Sequence, residues 1–250
     1  MSENLNLKNT WDEYYTEEND TALKDKSLFK LEIDEIERHC RSYLEKVNNP
    51  VSILELGSGT GFLIETLSRK FQNYELNFTG VDFSEKGIER AKLRNVEDAT
   101  FIKDDFNKFL INSDDIFDII ITQRSMMALM SKEDQDELIL NIYGKMNKCG
   151  IGLFSECLDD SLDYINDLRA NLDVEPLEKV WHSRYLNLGQ FNTIFSSVDV
   201  HDFASMYYLI TRVIYPHFES PVHNSKIAEF AAELPQLGKF GLVKLIQVKK

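Results

Sequence analysis

The stretch Val51–Phe62, with the sequence VSILELGSGTGF, decides the fold that this sequence predicts. Its first six residues form a short, mainly apolar run that ends at a glycine, which is typical of a buried strand. The glycines that follow carry no Cβ, so the backbone there can approach a ligand closely. A helix is predicted over residues 62–71, and a helix that begins directly after such a loop directs free N–H groups towards the loop. The stretch therefore predicts a strand, a glycine-rich ligand-binding loop and a helix.

Strands and helices alternate on both sides of this stretch. Upstream, apolar residues recur every three or four positions from Lys24 to Val47, which predicts an amphipathic helix. Downstream, the pattern predicts helices from Ser84 to about Arg94 and from Ser131 to near Lys148, where Cys149 and Gly150 form the stop. Four further strands are predicted, over residues 76–81, 100–103, 117–122 and 151–155. This alternation is typical of βαβ units and a parallel sheet.

The pattern is looser after residue 156. Helices are predicted over 161–172 and 190–195, and strand-like segments over 198–203 and 240–248. No domain boundary is evident, so we expect one α/β domain with a helical extension at its N-terminus.

An acidic residue lies at the end of each of the first three predicted strands. Glu55 lies in the first strand, Asp82 ends the second, and Asp104 and Asp105 follow the third. Parallel strands place such residues at one carboxyl edge, where open α/β sheets bind ligands. At that edge Asp82 can accept the two hydroxyls of a ribose, and an acid of the 104–105 pair can accept an adenine amine. The alternative is a tight turn without a ligand, flanked by solvated acids.

These residues resemble the motifs of the class I S-adenosylmethionine-dependent methyltransferases. ILELGSGTGFL (residues 53–63) is similar to the first motif, Asp82 in GVDFS to the second, and FIKDDF (101–106) to the third. FDIIITQ (117–123) is similar to the fourth motif. KCGIGL (148–153) stands where a Lys-Pro-Gly-Gly turn is usual. The resemblance covers residues 45–156 and extends loosely to the strand at 240–249.

The resemblance implies a Rossmann-like fold with a seven-stranded, mostly parallel sheet, helices on both faces and an antiparallel last strand. It implies an N-terminal extension or lid over residues 1–48 and a methyltransferase domain over 49–250. Within that domain, residues 49–156 would bind the cofactor and 157–250 the acceptor.

The cofactor implied by the resemblance is S-adenosylmethionine, which leaves as S-adenosylhomocysteine. Glu55 would lie under its methionine end, Asp82 would bind the ribose, Asp105 would bind the adenine amine, and Phe106 would flank the ring. Trp11 and Tyr15 belong to an aromatic segment that would fold over the cofactor, or else pack on the sheet edge. The full set of expected cofactor residues is Trp11, Tyr15, Glu55, Gly57, Ser58, Gly59, Gly61, Asp82, Phe83, Asp105, Phe106 and Gln123.

Three residues are candidates for catalysis on the acceptor side. Methyl transfer requires alignment of the nucleophile and, for a hydroxyl, removal of its proton. His182, in the aromatic and polar segment 181–185, is the candidate base, and Glu156 is a candidate to hold or deprotonate a hydroxyl. Arg124 is a candidate to anchor an anion. Each of the three also has a purely structural interpretation. His182 can simply pack beside Trp181, Glu156 can be an ordinary carboxylate at the end of a strand, and Arg124 can form an ion pair with a nearby acid.

The charge distribution bears on the acceptor. The chain has 28 Lys and Arg against 42 Asp and Glu, for a net charge of −14, which argues against general nucleic-acid binding. Arg124, Arg184 and Arg212 flank the loops expected to form the acceptor pocket, and arginine pairs well with carboxylate and phosphate. This predicts a small anionic or saccharide acceptor, unless these arginines only neutralise nearby acids. The sequence also resembles a bacterial subgroup of O-methyltransferases of saccharides and other small metabolites. The residues that carry this resemblance are Gln123-Arg124, Trp181-His182 and Tyr207-Tyr208 with Arg212.

Other features of the sequence bear on the cellular location of the protein and on whether it binds a metal. No apolar run approaches the roughly 18–20 residues of a membrane span, and the N-terminus lacks the pattern of a signal peptide. The three cysteines form no disulfide or metal-binding pattern, which favours a reducing, cytoplasmic location. The five histidines show no spacing typical of a metal site, so no metal is predicted.

Two alternatives to a methyltransferase remain open at this point. A nicotinamide-dependent dehydrogenase shares the strand, loop and helix, but its fingerprint is GxGxxG, whereas this chain has GxGxG. A non-catalytic protein can retain the fold and the cofactor, because a fold does not imply an activity.

Overall fold

The computed structural model describes residues 11–15, 24–47, 49–217 and 224–250. Its centre is a seven-stranded sheet, numbered here along the chain. The strands are β1 (Val51–Leu56), β2 (Leu76–Asp82), β3 (Ala99–Lys103), β4 (Phe117–Gln123), β5 (Met146–Cys157), β6 (Ser197–His201) and β7 (Val243–Lys249). Their order is β3-β2-β1-β4-β5-β7-β6, and β7 runs antiparallel to both of its neighbours. The predicted Rossmann-like fold, with a mostly parallel sheet and an antiparallel last strand, is confirmed.

Helices connect the strands and cover the sheet. They are α1 (Lys26–Leu44), α2 (Phe62–Lys70), α3 (Glu85–Leu93), α4 (Phe106–Asn112), α5 (Lys132–Lys145), α6 (Asp159–Ala170), α7 (Gly189–Asn192), α8 (Ser205–Tyr208) and α9 (Lys226–Glu233). The predicted caps are confirmed, since Ser84 accepts a hydrogen bond from Gly87 N and Ser131 accepts one from Asp134 N. Among the described helices, none has the length and apolar character needed to cross a bilayer.

Helix α1 packs against the sheet rather than standing apart from it. Ile36, Cys40 and Leu44 on its apolar face are buried in the same hydrophobic cluster as Val51 and Ile53 of β1. The parts of the predicted N-terminal extension at residues 1–10, 16–23 and 48 lie outside the described residues.

The predicted end of α5 is wrong. The helix ends at Lys145, and Met146 is already extended, fully buried and paired with Phe117 of β4. Cys149 and Gly150 therefore lie inside β5, where the pairing with β4 shifts between Phe117 and Ile119. Burial of the Met146 side chain outweighs the helix-stop pattern. Helix α4 is not among the predicted elements, although Asp105 caps it by accepting from Lys108 N.

The strand order reverses between β1 and β4, which both pair in parallel with neighbours on either side. In an open α/β sheet this switch point opens a crevice at the carboxyl ends of the strands. Glu55 near the end of β1, Asp82 at the end of β2 and Gln123 at the end of β4 all lie at this edge.

Candidate cofactor and acceptor site

A cavity of about 400 Å³ lies at the switch point, a size within the range of small-molecule sites. Its walls come from the loops after β1, β2 and β4, from the start of α1, and from segments 11–15 and 180–183. Ten of the twelve expected cofactor residues line it: Trp11, Tyr15, Glu55, Gly57, Ser58, Gly59, Asp82, Phe83, Phe106 and Gln123. The structure thus brings together residues that lie more than a hundred positions apart in the chain.

The loop after β1 has a backbone shape that favours glycine. Gly57, Gly59 and Gly61 have φ angles of 84°, 50° and 74°, in the left-handed region that other residues rarely adopt. A Cβ on Gly59 would lie 2.6 Å from the hydroxyl oxygen of Tyr15. Gly61 does not line the cavity, and a Cβ there would lie 2.8 Å from the ring of Phe101. Its role is close packing at the start of α2.

Asp82 holds this loop in place. Its two carboxylate oxygens accept hydrogen bonds from Gly59 N and from Ser84 N, each 2.8 Å long. Burial nevertheless raises the pKa of Asp82 to about 6, because it outweighs these two bonds. The carboxylate therefore lies at the cavity wall with lone pairs still available to a donor.

Glu55 lies beneath the loop and is buried. Its Oε2 atom has no hydrogen-bond partner among the described residues. Burial and the nearby charge of Asp82 raise its pKa to about 8. A cation bound in the cavity would favour the ionised form and offset this burial cost.

Five buried polar atoms without a hydrogen-bond partner in the described part of the chain belong to residues that line this one cavity. They are Glu55 Oε2, Ser58 Oγ, Gln123 Nε2, His182 Nδ1 and Ser183 Oγ. A buried polar atom left unpaired costs about 1–3 kcal/mol, and native proteins pair nearly all of them. Their convergence fits polar ligands that supply the missing partners, as the predicted cofactor and its acceptor would.

His182 is the one catalytic candidate that reaches the cavity with an unpaired polar atom. Its ring lies edge-on to Trp11, with centroids 5.8 Å apart, and edge-on to Trp181, with centroids 5.1 Å apart. Burial lowers its pKa, so the imidazole is neutral near pH 7 and able to accept a proton. The packing beside Trp181 that sequence reasoning considered is thus present together with access to the cavity.

Arg124 lines the cavity, but its guanidinium is already paired. Its Nε and Nη2 atoms lie 3.2 and 2.7 Å from the two carboxylate oxygens of Glu32, which is fully buried. Ser155 donates a further hydrogen bond to the same carboxylate. This is the ion-pair alternative considered for Arg124.

Glu156 is buried beside the cavity and is not among the residues that line it. Its carboxylate accepts hydrogen bonds from the backbone N–H groups of Ser125, Met126 and Met127, at 3.1, 3.0 and 3.3 Å. These bonds hold the turn that follows β4, so the geometry gives Glu156 a structural position.

The other two arginines do not line the cavity. Arg212 Nη2 lies 2.7 Å from Asp25 Oδ2, and the Tyr207 hydroxyl donates to the other oxygen of Asp25 at 2.6 Å. The described structure therefore shows no gathering of Arg124, Arg184 and Arg212 around one pocket.

Asp105 also lies apart from the lining. It is exposed, and its carboxylate accepts from Lys108 N at 3.1 Å as the cap of α4. Segment 11–15, in contrast, covers the loop: Tyr15 lies over Gly59, Trp11 stacks on Tyr15 with centroids 6.1 Å apart, and Asp12 accepts from Ser84 Oγ at 2.6 Å.

Some lining residues are not among the expected site residues. Ser125 and Ser183 lie next to residues that the sequence did single out, so a wider window around each motif would have found them. Lys24, Asp25 and Phe29 carry no such signal, because only the packing of α1 brings them to the cavity.

The family of the chain follows from comparison with known proteins. The family model described as "Methyltransferase domain" matches residues 48–205, which is more than half of the chain. The chain therefore belongs to this methyltransferase family. The match confirms the resemblance found in the sequence and, at the level of the family, an enzyme that transfers methyl groups with S-adenosylmethionine as its cofactor. It favours this class over a nicotinamide-dependent dehydrogenase.

Curated relatives share part of the chain. It is 36% identical over 122 residues to the malonyl-[acyl-carrier protein] O-methyltransferase of Bacillus cytotoxicus, and 34% identical over 109 residues to that of Bacillus anthracis. These matches cover 47% and 43% of this chain, and 40% and 38% of the relatives. The chain thus matches about two fifths of the length of these relatives.

Solved structures show the same fold over nearly the whole chain. The plantazolicin methyltransferase BamL, in complex with a triazolic desmethylPZN analog and S-adenosylhomocysteine, has a TM-score of 0.57 at 17% identity, covering 97% of this chain and 94% of its own. BpumL with S-adenosylhomocysteine has a TM-score of 0.55 at 18% identity, covering 99% and 96%. At these identities the likeness shows the fold alone.

Proposed function

We propose that this chain transfers a methyl group from S-adenosylmethionine to an oxygen atom of a small acceptor that binds beside His182. The observation that carries the proposal is the set of five buried, unpaired polar atoms around one cavity. Three of them, on Glu55, Ser58 and Gln123, lie at the loop ends of β1 and β4, where the family binds its cofactor. The other two, on His182 and Ser183, lie on the segment that faces them.

The residues present fit the cofactor. Asp82 offers lone pairs to the ribose hydroxyls, Phe83 and Phe106 offer apolar surface to the adenine, and Glu55 offers a carboxylate to the ammonium group of the methionine part. The cofactor supplies an electrophilic methyl group on a positively charged sulfur. The protein aligns the acceptor oxygen with that methyl group and excludes water.

His182 then has a defined task. A hydroxyl attacks poorly while it keeps its proton, so a neutral imidazole within reach of the acceptor oxygen can remove that proton as the methyl group is transferred. The lowered pKa of His182 keeps the ring in this neutral form near pH 7.

The charges around the cavity favour a neutral hydroxyl acceptor, such as a saccharide or another small metabolite, over an anionic one. Arg124, the one arginine among the described lining residues, is paired with Glu32, so its guanidinium is not left to bind an acceptor anion. The name of the curated relatives, which are O-methyltransferases, supports oxygen as the atom methylated.

The test combines binding with turnover. Calorimetry should show that S-adenosylhomocysteine binds the wild type and the variant His182→Ala with equal affinity. Turnover, measured by mass spectrometry on a panel of saccharides and hydroxylated metabolites, should fall by about 10²–10⁴ in the variant. Leu140→Ala is the control, because this side chain is 57% exposed on α5 and lies outside the cavity lining.

Each contrary result has a distinct meaning. Unchanged turnover in His182→Ala would contradict its role as base and would point to an acceptor that arrives ionised, such as a carboxylate. Binding of the cofactor without turnover on any acceptor would favour the non-catalytic alternative. Absence of cofactor binding would contradict the whole proposal.

A further inference from the structure

A second polar groove lies where α1 meets the edge strand β6, and it shares no lining residue with the cofactor cavity. Glu35 and His39 are four residues apart on α1, which places them on one face of the helix. His201 ends β6 and faces them. One ligand atom from each of these three residues lies within 4.8 Å of the other two.

The distances within this cluster are short. The Nε2 atom of His39 lies 3.2 Å from Oε1 of Glu35, and the rings of His39 and His201 have centroids 4.3 Å apart. His39 is buried, and the Nε2 atom of His201 is buried without a hydrogen-bond partner among the described residues. An imidazole nitrogen that is buried and unpaired beside a second imidazole and a carboxylate indicates a missing ligand.

The kinds of side chain in the cluster suit a metal ion. Two imidazoles and one carboxylate, each offering one ligand atom within 4.8 Å of the other two, form a ligand set found in zinc sites with an open fourth position.

We propose that Glu35, His39 and His201 bind a divalent transition-metal cation of the zinc class. Zinc bonds to these ligands are about 2.0–2.2 Å long, so a small approach of His201 towards α1 completes the site. A bound ion would connect α1 to the edge strand β6, whose one partner among the described strands is β7. It would stabilise the folded chain by an amount that grows with the logarithm of the free metal concentration above the dissociation constant.

Arg38 competes for the same position. Its Nη2 atom lies 2.7 Å from Nε2 of His39 and 2.6 Å from Oε1 of Glu35. Because its side chain is 57% exposed, it can turn into solvent when a metal ion binds. Arg38 and the metal ion are therefore alternative cations for one cluster.

This competition gives the sharpest test. With the full chain stripped of metal by chelation, Zn²⁺ should bind with one equivalent by calorimetry and raise the melting temperature. Arg38→Ala should bind Zn²⁺ about tenfold more tightly, because the competing cation is gone. His201→Ala should lose the site, whereas His182→Ala, at a histidine of the cofactor cavity, should bind Zn²⁺ like the wild type.

A second readout keeps the proposal falsifiable if a variant is unstable. Co²⁺ bound by the wild type and by Arg38→Ala should give visible absorption bands typical of a four-coordinate site, and His201→Ala should lack them. Zn²⁺ binding that survives in His201→Ala would overturn the proposal. A weaker affinity in Arg38→Ala would also overturn it, because Arg38 would then support the cluster rather than compete for it.

Discussion

Two sets of buried polar groups border the cofactor cavity, and they differ in whether their partners are present. At the loop ends of β1 and β4, polar atoms of Glu55, Ser58 and Gln123 have no hydrogen-bond partner within the described residues. At the wall formed by α1, the carboxylates of Glu32 and Asp25 are paired with Arg124 and Arg212. Both sets carry charged side chains, yet only the first has bonding capacity left for a ligand.

The difference separates groups that bind a ligand from groups that hold the fold. An unpaired buried polar atom destabilises a folded protein and is expected where a ligand supplies the partner. A buried ion pair contributes little net stability but is costly to break, because the remaining charge stays buried without compensation. A count of charges along the chain cannot distinguish the two, and for this reason the three arginines suggested an anion site.

The largest expected effect is on stability, and it tests the ion pair of Arg124 with Glu32 beside the cavity. Arg124→Ala leaves the fully buried Glu32 carboxylate without its guanidinium partner, so we expect the free energy of unfolding to fall by about 3–5 kcal/mol. Chemical denaturation of the wild type and the variant measures this loss. The double variant Glu32→Gln, Arg124→Ala should recover part of the stability, because no buried charge is left unpaired.

The opposite result would support Arg124 as a residue that binds the acceptor. A variant Arg124→Ala with wild-type stability and a raised, salt-dependent acceptor KM would mean that Arg124 anchors an anion and that its pairing with Glu32 is incidental.

Most of the fold was predictable because it depends on local pattern. The run VSILEL and the loop after it defined β1 and the start of α2, and Ser84 and Ser131 defined helix starts through their capping oxygens. The end of α5 was not predictable, since Met146 leaves the helix to fill a buried position opposite Phe117. Whether a residue such as Met146 continues a helix or begins a strand is decided by tertiary packing, which local pattern does not contain.

The residues of the candidate site also fall into those that local sequence pattern predicts and those that only tertiary packing brings together. The residues of the glycine loop, Asp82 and His182 were found because each lies in or beside a motif. The partners of Arg124 and Arg212 were not found, because Glu32 and Asp25 lie 92 and 187 positions away in sequence. The cluster of Glu35, His39 and His201 was missed for the same reason, since no spacing rule connects a residue of α1 with the last residue of β6.

An effect of intermediate size is expected at Glu55, one of the buried residues with an unpaired polar atom, and it concerns the pH dependence of stability. Burial and the charge of Asp82 raise the pKa of Glu55 in the folded protein to about 8, from a usual value of 4.5. The folded state therefore holds the proton more tightly than the unfolded chain. The resulting stability is fully present below pH 4.5 and is lost as the pH rises through 8, by up to about 5 kcal/mol. Glu55→Gln should remove this loss.

Unfolding measured at pH 8 should thus show Glu55→Gln to be more stable than the wild type. We expect a gain of about 1–3 kcal/mol, because the buried amide of glutamine also lacks a partner and offsets part of the effect. Its affinity for the cofactor should be lower, because the carboxylate no longer meets the ammonium group. Glu156→Gln is the matched control, because burial raises the pKa of this carboxyl less, to about 7. Three backbone N–H groups donate to the Glu156 carboxylate, so an amide there loses part of these bonds and should gain less stability than Glu55→Gln. Equal effects of the two substitutions would erase the distinction between unpaired and paired groups.

The smallest expected effect concerns Asp105, for which the motif and the geometry suggest different roles. The motif assigns it to the adenine amine, whereas in the structure it caps α4 through Lys108 N. Asp105→Ser separates the two roles, because serine is also a good helix cap but has a shorter side chain. We expect the stability of Asp105→Ser to stay within about 0.5 kcal/mol of the wild type, while Asp105→Ala loses about 1 kcal/mol.

Binding of S-adenosylhomocysteine, measured by calorimetry, tests the role at the adenine. If the adenine amine also donates a hydrogen bond to the Asp105 carboxylate, Asp105→Ser will bind this compound up to about tenfold more weakly, the effect of one hydrogen bond. If affinity is unchanged in both variants, Asp105 belongs with the paired, structural set, and the adenine is held by the apolar residues Phe83 and Phe106 that line the cavity.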